Sequence, residues 1–309
     1  MTRKRNAGFT LLELLIVIGI IAILGGVMLA QFSGSTESAM SAVCMNNLRT
    51  LCNAAMANGT KESYYPAAGP YQYIDMDDNA QRKWEQGWIG HAKGDELVSC
   101  YHASSDEGES QHYAITNGTV WRTIGGKLSA YVCPLHRKLC SKKKVTPSWS
   151  YVVNSYFGWW TRVAAERMAG RRSYGGGSFP VKYSSAPKSR DRPIERVLLF
   201  AELPFAENGV QEVEMSTSAG KANDMVLNYR PTGDENKTYN YSTGGDEAIG
   251  FNHRAGKTFG AHVAFADGHC VRLSLPVGAG EDNLKDLTTW LCTGLEYTFN
   301  GSRYEKVSE

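Results

Sequence analysis

The side chains best suited to chemistry sit late in the chain. His253, His262, Asp267 and His269 crowd one short stretch, and imidazole with carboxylate is the donor set of a metal or acid–base site. Their spacing matches neither H-E-x-x-H nor H-x-x-E-H, and no D-x-D-x-D-G calcium loop accompanies them. Asp267-Gly268 is explained by turn chemistry, because both residues tolerate positive φ. His253, Asp267 and Gly268 are therefore read as a turn motif, with no metal assigned. A second set, Cys133-Pro134-Leu135-His136 with Cys140, offers three soft ligands within eight residues, one fewer than structural zinc requires. The acidic cluster Asp75-Met76-Asp77-Asp78 reads as a solvated turn. No G-x-S-x-G, P-loop or dinucleotide fingerprint occurs, so neither an enzyme nor a cofactor is expected. With 33 Lys+Arg against 31 Asp+Glu the net charge is +2, which gives no field for nucleic acid, and none is expected as a partner.

The compartment and scaffold for these groups are set at the N-terminus. Residues 9–30 carry a single charge, Glu13. As a helix they would reach roughly 33 Å, enough to cross a hydrocarbon core of about 30 Å. Mean hydropathy of −0.35 excludes a polytopic membrane protein but leaves room for one span. Arg3, Lys4 and Arg5 precede it, which predicts a cytoplasmic N-terminus and a periplasmic or extracellular remainder. A cleaved secretory signal fits less well: the apolar run is too long, and Met28 breaks the small-x-small pattern before Ala30. In an oxidising compartment Cys133 and Cys140 read as a disulfide closing a small loop, ahead of free thiols and of zinc. Seven cysteines is an odd number, so at least one thiol is free or pairs between chains.

Glu13 is the informative residue, since a carboxylate in an apolar helix is costly unless it is paired. The run Gly8-Phe9-Thr10-Leu11-Leu12-Glu13, a basic leader before it and the apolar span after it, resembles the leader of type IV pilins and type II secretion pseudopilins. The resemblance implies that a prepilin peptidase cuts between Gly8 and Phe9 and methylates Phe9. It also implies that Glu13 pairs with the N-terminal amine of a neighbouring pilin-like subunit during filament assembly. Removing the three leader cations leaves 30 basic residues against 31 acidic ones.

Beyond the span, Cys44, Leu48, Leu51 and Ala55 follow the i, i+4, i+7, i+11 spacing of one helical face. Cys44 and Cys52 are about 12 Å apart along that helix and cannot bond to each other; each is expected to pack as a small apolar group. Asn58-Gly59 is a helix-stop signal, with Pro66 beyond it. The expected fold class is α+β: one long N-terminal helix, half membranous and half amphipathic, packed on an antiparallel β-rich globular head. The expected divisions are a leader over residues 1–8, a transmembrane helix over 9–30, its amphipathic continuation over 31–58 and the head over 59–309. Residues 197–201 read as a buried strand, and residues 261–275 as a hairpin around Asp267-Gly268. Uniting Val263, Phe265, Val271 and Leu273 on one face there needs an odd-length loop or a bulge. Residues 167–196 and 228–246 read as long loops.

A second resemblance covers the C-terminal half. Phe251-Asn252-His253-Arg254-Ala255-Gly256 and Val263-Ala264-Phe265-Ala266-Asp267-Gly268-His269 look like the H-x9-DG region of large prepilin-type, DUF1559-like proteins. Tyr131-Val132-Cys133-Pro134 and Leu199-Phe200-Ala201-Glu202 resemble further segments of that group. Here thirteen residues separate His253 from Asp267, as an insertion around residues 257–260 would produce. The resemblances imply a structural subunit of a pilus or secretion-type filament, lodged in inner-membrane lipid before assembly, with the head periplasmic or finally extracellular. The alternative is a membrane-tethered or minor-subunit binding module that recognises glycan, protein or DNA through its aromatic-rich head.

Overall fold

The computed structural model describes residues 10–62, 65–75, 81–92, 99–157, 194–211, 225–227, 247–276, 278–300 and 302–307. The leader with Gly8 and Phe9, residues 76–78 of the acidic cluster, residues 167–193 of the first long loop and the second long loop lie outside the described residues.

It is a mixed helix and sheet structure, with an N-terminal helix and a C-terminal region rich in antiparallel sheet. Helix α1 (Leu11–Glu62) runs past Asn58-Gly59, where a stop was expected. A helical glycine costs only about 1 kcal/mol relative to alanine, and Thr60 Oγ1 still donates to the Met56 carbonyl one turn back at 3.0 Å. Two short strands, β1 (Tyr71–Asp75) and β2 (Gln81–Glu85), pair antiparallel. Next come β3 (Tyr101–His102), α2 (Ser105–Asn117), α3 (Pro134–Lys142) and β4 (Thr146–Pro147). Ser104 and Glu107 form a capping box at the start of α2, and Pro134 opens α3, where its missing N–H costs nothing.

The main sheet comprises β5 (Tyr151–Asn154), β6 (Leu198–Glu202), β7 (Val226–Leu227), β8 (His253–Ala255), β9 (Thr258–Phe265) and β10 (Cys270–Ser274). Its order is β10-β9-β6-β5-β7, with β8 also on β9; all pairs are antiparallel except β5 with β7. Helix α4 (Glu281–Thr293) and the hairpin of β11 (Tyr297–Phe299) and β12 (Tyr304–Lys306) complete the chain.

Register explains where the polar groups fall. Tyr151 lies opposite Glu202, Ala201 opposite Val263, and His262 opposite Arg272. Side chains alternate along a strand, so Tyr151, Glu202, His262 and Arg272 form one row on one face of the sheet. Helix α1 covers that face: Ser41 Oγ lies 3.0 Å from His262 Nε2, and Tyr151 Oη donates to the Cys44 carbonyl at 3.2 Å. The opposite face meets α4, where Asn154 Nδ2 donates to the Cys292 carbonyl at 2.9 Å and Leu284, Leu287 and Leu291 are fully buried.

Along α1 itself, Cys44, Leu48, Leu51, Cys52 and Ala55 are fully buried. By contrast, eleven large apolar side chains between Leu11 and Leu24 are exposed, from Val17 at 44% to Leu11 at 82%. Among the described residues no helix is long and apolar enough to cross a membrane. The described side chains of the apolar run end at Gly26, so that part is about 24 Å long.

Candidate functional site

Two places carry the candidate residues, one at each end of what α1 connects. At its start, Thr10 and Glu13 form a capping box. Thr10 donates to Glu13 Oε2 from both its backbone N–H and its hydroxyl at 2.8 Å, and the Glu13 N–H donates to Thr10 Oγ1 at 3.2 Å. The local signal for it is the T-x-x-E pattern of Thr10-Leu11-Leu12-Glu13. Gly8 and Phe9 lie outside the described residues.

The second place is a buried polar cluster between α1 and the sheet. Cys44 Sγ lies 2.5 Å from Glu202 Oε1 and 3.1 Å from Tyr151 Oη. His253 Nε2 lies 2.9 Å from the same Glu202 oxygen and 3.7 Å from Cys133 Sγ. His262 approaches Glu202 twice: its backbone N–H donates to Oε2, and its Nδ1 lies beside Oε1, each at 3.1 Å. Cys133 is the N-cap residue of α3, and its N–H donates to Ser150 Oγ at 2.8 Å. Ligand-type atoms of Cys44, Cys133, Glu202 and His253 all lie within 4.8 Å of one another.

The electrostatics follow from burial opposed by near neighbours. Burial would raise the Glu202 carboxyl, but the charges of His253 and His262 and their hydrogen bonds outweigh it and hold the group well below the usual carboxylate range. Burial opposes charge on His253 as well, yet Glu202 and Cys133 bring it up to about 10. Burial would raise the Cys133 thiol, but hydrogen bonds with Cys44 and His253 pull it down to about 6. Burial carries the Cys44 thiol upward, and Cys133 and the Glu202 charge push it further.

This geometry corrects three expectations. Cys133 and Cys140 are not joined in a disulfide. They sit at the two ends of α3, about 10 Å apart along its axis, beyond the reach of roughly 7 Å between Cα atoms that a disulfide allows. His253 does not belong to the Asp267-Gly268 turn. It pairs with Gly260 on β9, while the turn follows Phe265, roughly 17 Å further along that strand. Cys44 is a hydrogen-bonding member of a polar cluster rather than a small apolar filler.

The turn itself is a three-residue loop. The Phe265 N–H donates to the His269 carbonyl at 2.9 Å, and the Gly268 N–H donates back to the Phe265 carbonyl at 2.9 Å. That odd length places Val271 opposite Val263 and Leu273 opposite Ala261, so the apolar residues share a face. Gly268 has φ +98°, and an added Cβ would lie 2.5 Å from Met56 Sδ on α1. Asp267 Oδ1 accepts from the His269 N–H at 3.1 Å and lies 2.6 Å from His269 Nδ1. His136, grouped with the cysteines by sequence, faces elsewhere: it lies 2.9 Å from both Ser150 Oγ and Tyr101 Oη and stacks on Phe205.

Sequence spacing missed the cluster because its members come from α1, α3, β6 and β8, far apart along the chain. The only local signal was the presence of each residue in a short motif of its own.

No curated protein and no solved structure matches the chain. The family model of the prokaryotic N-terminal methylation motif matches residues 3–29, and on that segment the chain is similar to type IV pilin-like proteins, with the prepilin-type leader that the resemblance at Gly8, Phe9 and Glu13 implied.

Proposed function

We propose that the chain is a pilin-like or pseudopilin-like structural subunit with an α+β head. Prepilin peptidase cuts it between Gly8 and Phe9 and methylates Phe9. Residues 9–30 hold it in inner-membrane lipid with the head on the periplasmic side. It then joins other pilin-like subunits, through α1, in a type IV pilus or type II secretion-type filament. The observation that carries this reading is the methylation motif over residues 3–29. The exposed apolar side chains between Leu11 and Leu24 support it, because so much unpartnered apolar surface calls for lipid or for neighbouring helices. The C-terminal likeness to H-x9-DG proteins belongs to the same reading, as does a role without catalysis.

Intact-mass and N-terminal analysis of protein recovered from membranes tests it. The mature chain is expected to begin at Phe9 and to carry an N-methyl group. A mature N-terminus at Gln31, or intact Met1, would overturn it.

A further inference from the structure

We propose that Cys44, Cys133, Glu202 and His253 together bind one Zn²⁺-type divalent ion, which ties α1 to three separate segments of the head. The argument rests on the cluster alone and is independent of how the N-terminus is processed.

The donor set is the first support. Two thiols, one imidazole and one carboxylate are the ligand types that zinc takes, and four is the number a closed structural site requires. Ordinary zinc bond lengths place the ligand atoms of a tetrahedron about 3.3–3.8 Å apart. The 3.7 Å between Cys133 Sγ and His253 Nε2 already fits. The 2.9 Å from His253 Nε2 to Glu202 Oε1 and the 2.5 Å from Cys44 Sγ to the same oxygen would open by about 0.4 and 1 Å. Both contacts are hydrogen bonds whose protons an ion replaces. Binding sends the protons of the two thiols and of His253 Nε2 to solvent, and two thiolates and a carboxylate then face the cation.

The surroundings are the second support. Ligands in metal sites are held by outer hydrogen bonds that fix their direction. Here the Tyr151 hydroxyl reaches Cys44 Sγ, His262 holds Glu202 through its backbone N–H and its ring, and Ser41 backs the far side of that ring. Ser150 Oγ accepts the Cys133 N–H. A plain buried ion pair explains Glu202 and His253. It does not explain why two thiols from different helices converge on the same two side chains.

Each ligand comes from a different element, so an ion here would act as a clasp between stalk helix and head. Metal binding of this kind adds its free energy directly to folding.

The experiment uses the full chain, purified in detergent under reducing conditions and titrated with Co²⁺ and with Zn²⁺. Expected are one Co²⁺ per chain, a thiolate-to-cobalt charge-transfer band with the intense visible bands of tetrahedral cobalt, and bleaching of both by Zn²⁺. Cys133→Ser and His253→Ala should each weaken binding at least about tenfold, whereas Cys140→Ser should leave it unchanged. The wild-type spectrum decides the question even if a variant fails to fold. Absence of the charge-transfer band, its survival in a folded Cys44→Ser/Cys133→Ser double variant, or a Cys44–Cys133 disulfide without metal in protein taken from native membranes would each overturn the proposal.

Discussion

Residues 11–26 and residues 44–55 belong to one continuous helix and meet opposite surroundings. In the first stretch every large apolar side chain down to Leu24 is exposed, and the single carboxylate, Glu13, folds back onto Thr10. In the second, Cys44, Leu48, Leu51 and Ala55 are fully buried against the head, and the polar group among them, Cys44, has found Glu202 and Tyr151. Apolar content alone does not separate the two stretches, since both are rich in it. Distribution does: apolar residues all round in the first, one stripe in the second. The stripe holds the head, while the uniformly apolar part is surface for something other than the head.

Substitution of Glu13 should break this comparison most visibly. Glu13→Ala is expected to lower filament assembly roughly tenfold or more relative to total membrane protein, since a charged hydrogen bond is worth about 1.5–3 kcal/mol. Glu13→Asp should be intermediate, and the head should unfold as in wild type. The capping box supplies a control, because Thr10→Ala removes the cap, at a cost of about 1 kcal/mol, and keeps the carboxylate. Shearing or crosslinking yields read the outcome. Equal losses in Thr10→Ala and Glu13→Ala would mean that the carboxylate serves its own helix rather than a neighbour. Full assembly of Glu13→Ala would favour the tethered binding module.

Stability sharpens the same contrast from the other side. Leu51→Ala empties a fully buried site and should cost the head about 2–5 kcal/mol in denaturant unfolding. Ile18→Ala, at an exposed position, should stay within roughly 0.5 kcal/mol of wild type. A large loss at Ile18 would show that the exposed stretch packs on the head after all.

What was legible in the sequence tracks the range of each signal. The buried stripe of α1 and the odd loop after Phe265 were readable, because helical period and strand parity are properties of neighbouring residues. The Thr10–Glu13 cap was equally local. Helix α1 continues past Asn58-Gly59 to Glu62 because a stop signal is a preference of about 1 kcal/mol that a continuing helix overrides. The candidate cluster was not readable at all. Cys133 looked toward Cys140 and His136 by spacing, yet the turn of α3 carries those two away and the sheet brings Glu202 and His253 instead. Register across β6, β8 and β9 made the site, and register between distant strands leaves no mark in a single sequence.

The pH dependence of the head turns on His136, which sits beside that cluster without joining it. Its ring is fully buried between Phe205 and Tyr101, and burial pushes it down to about 3, with the Glu202 charge pulling weakly the other way. Its ordinary value is about 6.5, so the unfolded chain takes up a proton that the folded chain refuses. The stabilisation from keeping the ring neutral is therefore fully present above about pH 6.5 and is lost as pH falls towards 3. Each pH unit in that window should cost roughly 1.4 kcal/mol at most. Other groups titrate in the same range, so the informative quantity is the difference from a variant that cannot take up the proton. His136→Gln keeps a side chain able to reach Ser150 and should flatten the dependence between pH 6 and 4.5 by up to about 2 kcal/mol, at some uniform cost from the lost stacking on Phe205. Urea unfolding of both proteins at several pH values measures it. Parallel wild-type and variant curves would show that the ring is protonated in the folded head, and that Ser150 and Tyr101 do not hold it neutral.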